Sequence, residues 1–137
     1  MTGIEFLSVA RVLRIHMDQI EHYGGSPEVR DPGLLASAIA TPESSYEGKY
    51  LHPSLQAMGA AYMYHLIQNH PFVDGNKRTG SMCALIFLNL NAAKLDVSID
   101  ELGDMAFAIA RGDMSKEQVT QIFEQQVIPF SASEELQ

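Results

Sequence analysis

An all-α single-domain fold is predicted by three features of the sequence. Apolar residues recur at helical spacing along most of the chain. Residues that cap helix starts precede those runs, and Gly or Pro follows them. Strand-type alternation is scarce. Together they predict a bundle of about six helices, with 1–130 as the domain and 131–137 as a polar tail.

In order along the chain, Ser8 caps a helix carrying Val9, Leu13, Ile15, Met17 and Ile20. His22-Tyr23-Gly24-Gly25 ends it, with Gly24 suited to a left-handed position after the helix. Asp31-Pro32 combines a cap with proline at the first helical position and opens a short helix through Leu35 and Ile39, closed by Thr41-Pro42. Residues 43–53 are irregular and hold either a short hairpin or a loop. Ser54 caps a helix with Leu55, Met58, Gly59, Tyr62 and Leu66 on one face, running out at Asn69-His70-Pro71. A polar stretch to Arg78 leads into Thr79–Leu90, apolar on nearly every side and so predicted to lie mid-bundle. Ser98-x-x-Glu101 and Ser115-x-x-Gln118 read as capping boxes for two last helices, separated by Gly112 and stopped by Pro129.

The formal charge is −8, and 46% of the residues are hydrophobic, enough to build a core. An acidic chain is unsuited to coating nucleic acid or an anionic membrane, since both draw their affinity from Lys and Arg. Cys83 is the single cysteine, so no intrachain disulfide forms. Met1–Ala10 lacks a secretory pattern, and the expected location is cytoplasmic. Against this acidic background a locally basic spot is informative.

That spot is His70-Pro-Phe-Val-Asp-Gly-Asn-Lys-Arg-Thr79. Taken singly, its residues are ordinary: a histidine at a helix end, an Asp-Gly-Asn turn, a solvated Lys-Arg pair. As a group their chemistry is complementary. Gly75-Asn76-Lys77-Arg78 stands where a buried helix begins, and free N–H groups with the positive dipole end form an anion site. Gly75 allows close backbone approach. Lys77 and Arg78 oppose the dipole, a conflict that a phosphate ligand resolves. Asp74 offers a hard oxygen of the kind that holds Mg²⁺ beside substrate phosphates. His70 is a candidate general base, and Phe72 a buried anchor. The loop is not a Walker A motif, because residue 71 is Pro and no Gly precedes Lys77.

The ten-residue segment resembles the signature of the Fic/Doc family, and specifically its Doc-type branch. Tyr23-Gly24-Gly25, Arg30-Asp31-Pro32-Gly33-Leu34-Leu35, Pro53-Ser54-Leu55 and Phe87-Leu88-Asn89-Leu90-Asn91 extend the resemblance over most of residues 6–127. It implies a helical Fic fold and ATP with Mg²⁺ as cofactors. His70 would be the base that deprotonates a target Ser/Thr hydroxyl. Asp74 would orient the metal, Gly75 and Asn76 would help build the anion loop, and Arg78 would hold phosphate. Phe72 would anchor the loop, and 43–53 would be a flap that aligns a target by strand addition.

Two departures from the Fic branch matter. Lys77 stands where that branch has Gly, and Ser81 where it has a second Arg. The Doc branch shares the Lys, and its members transfer the γ-phosphate of ATP to elongation factor Tu. The expectation is therefore a toxin-type protein kinase. Transfer of AMP and a silent Fic-fold binding module are the alternatives. Neither Thr120-x-x-x-Glu124-Gln125 nor Ser131-x-x-x-Glu135-Leu136 completes the family's inhibitory motif. The resemblance thus implies restraint by a separate antitoxin chain.

Overall fold

The structure, a computed structural model, describes residues 3–130. The tail and the Ser131–Glu135 stretch lie outside those residues. Six helices carry the fold: α1 Val9–Tyr23, α2 Pro32–Ala40, α3 Leu55–Gln68, α4 Asn76–Leu90, α5 Ile99–Arg111 and α6 Lys116–Gln126. The architecture is an all-α bundle with small β elements.

The central pair is α3 and α4. A Cβ on Gly80 would fall 2.8 Å from Ile67, and one on Gly59 would fall 3.2 Å from Leu88. The two glycines thus mark an antiparallel pair whose backbones approach too closely for larger residues. Around it, α2 and α6 pack on α3, α1 packs on α4, and α5 touches both. Met58, Tyr62, Met63, Leu66, Phe87, Leu88, Ile109, Val119 and Phe123 fill the core with essentially no exposed surface. Tyr62 also accepts a hydrogen bond from Leu7 N–H at 2.9 Å, which satisfies its buried hydroxyl.

The helix starts follow local side-chain chemistry. Ser8, Asp31, Ser54, Ser98 and Ser115 each accept an N–H from the first turn. Ser115 and Gln118 complete a reciprocal box. Ser98 makes only its own half; no return bond from Glu101 forms among the described residues. Gly24 has φ 85° but ψ 177°, so it is not in the left-handed helical region. It sends the chain outward in an extended form open to glycine alone. The buried helix begins at Asn76, three residues before its apolar stretch.

Two β pairs complete the fold. β1 Ser45–Tyr46 and β2 Lys49–Tyr50 form the hairpin option for 43–53, turning through Glu47 and Gly48, both at positive φ. Tyr46 is exposed, whereas Tyr50 packs against Phe6. β3 Ala93–Leu95 pairs antiparallel with β4 Val127–Pro129. This corrects the expected role of Pro129. α6 has already ended at Gln126, because Val127 turns extended to pair with Leu95, and Pro129 lies opposite Ala93. No described helix is long and apolar enough to cross a membrane.

Candidate active site

The loop between α3 and α4 carries the site, and it is held from three sides. First, residues 28–31 lie along it like a strand. Val29 and Phe72 form an antiparallel bridge, and Val73 N–H donates to Glu28 O at 3.0 Å. Arg30 N–H and Asp31 N–H both donate to Pro71 O, at 2.7 and 3.0 Å. The Arg30 guanidinium donates from Nε to His70 O at 2.6 Å and from Nη2 to Asn69 O at 3.0 Å. His70 itself has φ +50°, a left-handed conformation uncommon for a residue with a Cβ.

Second, Phe72 is fully buried and stacks on His16, with ring centroids 3.7 Å apart and planes 6° from parallel. The His16 Nε2–H group donates to Asp74 O at 2.8 Å. Third, the Asn76 amide brackets the Phe72 backbone. Its Oδ1 accepts Phe72 N–H at 2.9 Å and its Nδ2–H donates to Phe72 O at 2.8 Å, which fixes the amide's orientation. The same Nδ2 reaches His70 Nδ1 at 2.9 Å. Phe72 O lies 3.2 Å from that nitrogen. If Nδ1 accepts from Asn76, the neutral ring carries its proton on Nε2. If Nδ1–H donates to Phe72 O, the Nε2 lone pair is free for use as a base.

The anion corner follows directly. Gly75 stands left-handed before α4, at φ 82° and ψ 16°, without a capping side chain. Thr79 N–H is the first to bond within the helix, to Gly75 O at 2.9 Å. The N–H groups before it have no intrahelical acceptor. Asp74 Oδ2 accepts Ser26 N–H at 2.7 Å, and no described donor reaches Oδ1. One carboxylate oxygen thus remains to serve a hard cation, so the residues fit Mg²⁺. A Cβ on Gly25 would fall 2.9 Å from Asp74 Cβ, so glycine there lets the loop close on the carboxylate. Arg78 lies over the Tyr23 ring at 4.4 Å, and Lys77 Nζ over Phe107 at 5.7 Å. Neither cation pairs with a carboxylate among the described residues.

Three cavities meet here. A cleft of about 390 Å³ is lined by Tyr23, Gly25 and Asp74 through Arg78. A recess of about 150 Å³ beside it is lined by His70, Asp74, Lys77 and Ala110. An apolar groove of about 340 Å³ runs on over Met82 and Leu85 between α1 and α5, with Ser81 in its floor. Lys77 borders all three.

The residues singled out in the sequence fall within one short segment that spans the α3–α4 loop and the first turn of α4, where Asn76 uses its side chain and backbone for different ends. Its side chain brackets Phe72 and lies 2.9 Å from His70 Nδ1, while its backbone N–H has no acceptor within the helix. Sequence reasoning missed His16, Gly25, Ser26, Tyr23 and Arg30 as parts of the site. The Gly24-Gly25 pair was a usable signal, since two adjacent glycines exceed what a helix end needs. His16 carried none, and Arg30 stood out only within the Arg30–Leu35 segment of the family resemblance.

A second titratable cluster lies elsewhere. Lys116 Nζ donates to His52 Nε2 at 2.8 Å, while His52 Nδ1 and His65 Nε2 are buried without partners. Burial and then the Lys116 charge lower the His52 pKa, and the same causes push His65 down to about 4. The Cys83 thiol is buried in α4, which raises its pKa and keeps it unreactive.

The loop thus brings an imidazole and a carboxylate beside a helix start without a capping side chain, where two cations have no carboxylate partner among the described residues. Residues 6–88 match the model of the Fic/DOC family, and the chain belongs to that family. It is 39% identical over 93 residues to Toxin Doc of Mycolicibacterium smegmatis, covering 66% of this chain and 72% of that protein. It is 30% identical over 109 residues to Protein kinase doc of Escherichia phage P1, covering 80% and 85% respectively.

Proposed function

We propose that this protein is a toxin-type kinase that transfers the γ-phosphate of ATP to a Ser/Thr hydroxyl of a target protein. The observation that carries this reading is the shared wall. The His70 recess and the larger cleft adjoin, with Asp74 and Lys77 lining both. A hydroxyl entering the recess meets a base on one side and an anion corner on the other.

The roles follow from position. In the tautomer whose Nδ1–H donates to Phe72 O, His70 takes the hydroxyl proton on Nε2 as the target oxygen bonds to the γ-phosphorus and the bridging oxygen departs with ADP. The N–H groups of Gly75 and Asn76, with Lys77 and Arg78, bind the phosphate oxygens. Asp74 would hold Mg²⁺, which neutralises phosphate charge when bound. Phe72 keeps the loop anchored. Ser81 supplies no second cation deeper along α4; its hydroxyl is turned to Lys77 O at 2.8 Å. That favours placement of a terminal phosphate at the corner, with the rest of the nucleotide running toward the apolar groove. The β1–β2 hairpin would align the target chain. The name of the phage relative, a protein kinase, supports the reading. Elongation factor Tu is the first target to test, and the proposed restraint is a separate antitoxin chain in the cytoplasm.

The test uses γ-labelled and α-labelled ATP with a bacterial lysate. Label from the γ position alone is expected, and His70→Ala should lower it by roughly 10²–10⁴-fold with the fold kept by circular dichroism. Label from the α position would replace the reading with AMP transfer. Unchanged toxicity of His70→Ala would leave a binding module.

A further inference from the structure

We propose that Arg30 is a positioning residue for His70, an inference that rests on the transfer reading above. Arg30 holds three consecutive carbonyls around the imidazole. Its Nη2 donates to Asn69 O, its Nε to His70 O and its backbone N–H to Pro71 O.

The need for such a grip follows from the chain. α3 ends at Gln68, so Asn69 O and His70 O lie past its last turn, where no later helical N–H follows to bond them. His70 then turns left-handed at φ +50°, a conformation disfavoured by its Cβ, immediately before Pro71. This turn swings the His70 carbonyl toward Arg30. Without the Arg30 guanidinium, the His70 carbonyl loses its partner, and the left-handed turn rests on the His70 N–H bond to Ile67 O and the backbone N–H bonds of Arg30 and Asp31 to Pro71 O. A change in His70 φ would rotate the whole side chain about the backbone, because the ring is attached at the pivot.

The imidazole is thereby held at both ends. Asn76 meets the ring at Nδ1, and Arg30 fixes the backbone that carries it. Arg30 lines neither the cleft nor the recess, so it touches neither nucleotide nor hydroxyl there. Its effect passes entirely through His70. A guanidinium suits the task because its planar fork donates from two nitrogens in fixed geometry to adjacent carbonyls. A lysine offers one compact charge and cannot reproduce both bonds. The positive charge also faces the carbonyl end of α3, where the helix dipole favours it.

A helix-capping role without positioning would leave chemistry intact, and this separates the two. The experiment compares wild type, Arg30→Ala, Arg30→Gln and Arg30→Lys. It reads kcat and KM for ATP, the melting temperature, and the His70 ring resonances in two-dimensional NMR without nucleotide. Arg30→Ala should lower kcat by roughly 100-fold, the scale of a misplacement of about 1 Å. KM for ATP should stay within about 2-fold, because the anion corner is untouched. Arg30→Lys should fall between, and the His70 ring signals should shift in Arg30→Ala. Wild-type kcat in Arg30→Ala with only a lowered melting temperature overturns the proposal, as do unmoved His70 signals. Should Arg30→Ala not fold, the Gln and Lys variants decide by the same readings. If the wild type transfers no phosphate, the transfer reading falls, while the ring signals still decide on Arg30.

Discussion

Replacing Phe72 with alanine tests how much of the fold's stability is concentrated in the α3–α4 loop. The ring is wholly buried and stacked flat on His16 at 3.7 Å. A buried aromatic residue covers about 150–250 Å². At roughly 25 cal/mol per Å² that burial contributes about 4–6 kcal/mol, of which alanine keeps a part. The expected loss is ~3–5 kcal/mol, the range for aromatic truncation in cores. With an unfolding entropy of about 2.1 cal/mol/K per residue over 137 residues, the melting temperature should fall by roughly 10–17 °C. The Phe72 backbone remains bracketed by Asn76, so the change isolates the ring. Circular-dichroism melts of wild type, Phe72→Ala and Phe72→Leu give the measurement, with leucine expected between the two. A fall of less than about 3 °C for alanine would refute the reasoning, since it would place the loop's anchor elsewhere.

Other expectations follow from the same geometry. Gly25→Ala places a methyl group 2.9 Å from Asp74 Cβ at a backbone φ of +108°. It should raise the Mg²⁺ concentration needed for half-maximal transfer by about tenfold or more, on the order of the 1–3 kcal/mol that such strain costs; an unchanged metal titration would count against Asp74 as the ligand. Stability should also decline in mild acid. His65 is lowered from 6.5 to about 4 by burial and then Lys116, so the unfolded chain binds more protons between those values. Its contribution is therefore complete above pH 6.5 and is lost as pH falls toward 4. Discounted for partial solvent contact, that is about 1–2 kcal/mol. Urea titrations from pH 7 to 4 on wild type and His65→Gln check this, and equal slopes in both would exclude His65 as the source.

The helices were legible because their signals are local. Ser8, Asp31-Pro32, Ser54 and Ser115 announce themselves within one turn, and the apolar periodicity of α3 and α4 follows. The pairing of β3 with β4 was not legible. Three residues are too few to show alternation, and the partner strand lies beyond two intervening helices. The candidate site residues stood out as a cluster because cations, carboxylate, glycine and imidazole fall within ten positions. Their support was not. His16 and Arg30 act through contacts 58 and 40 residues away along the chain. Asn76 has the residue type for an anion loop, and only the fold shows its amide spent on Phe72 and His70.

The β3–β4 ladder gives the last third of the chain a topology of its own. It brings the entry to α5 and the exit from α6 side by side, so both helices hang from a closed ring. The match to the family model stops at residue 88, just before that ring begins. Within it, α5 supplies Ala110 to the His70 recess and Ile99, Leu102 and Ala106 to the apolar groove. Sequence change inside the ring can therefore reshape the groove and the recess, while the α3–α4 loop stays held by residues 28–31, His16 and Asn76. The molecule separates a fixed chemical floor from an exchangeable wall.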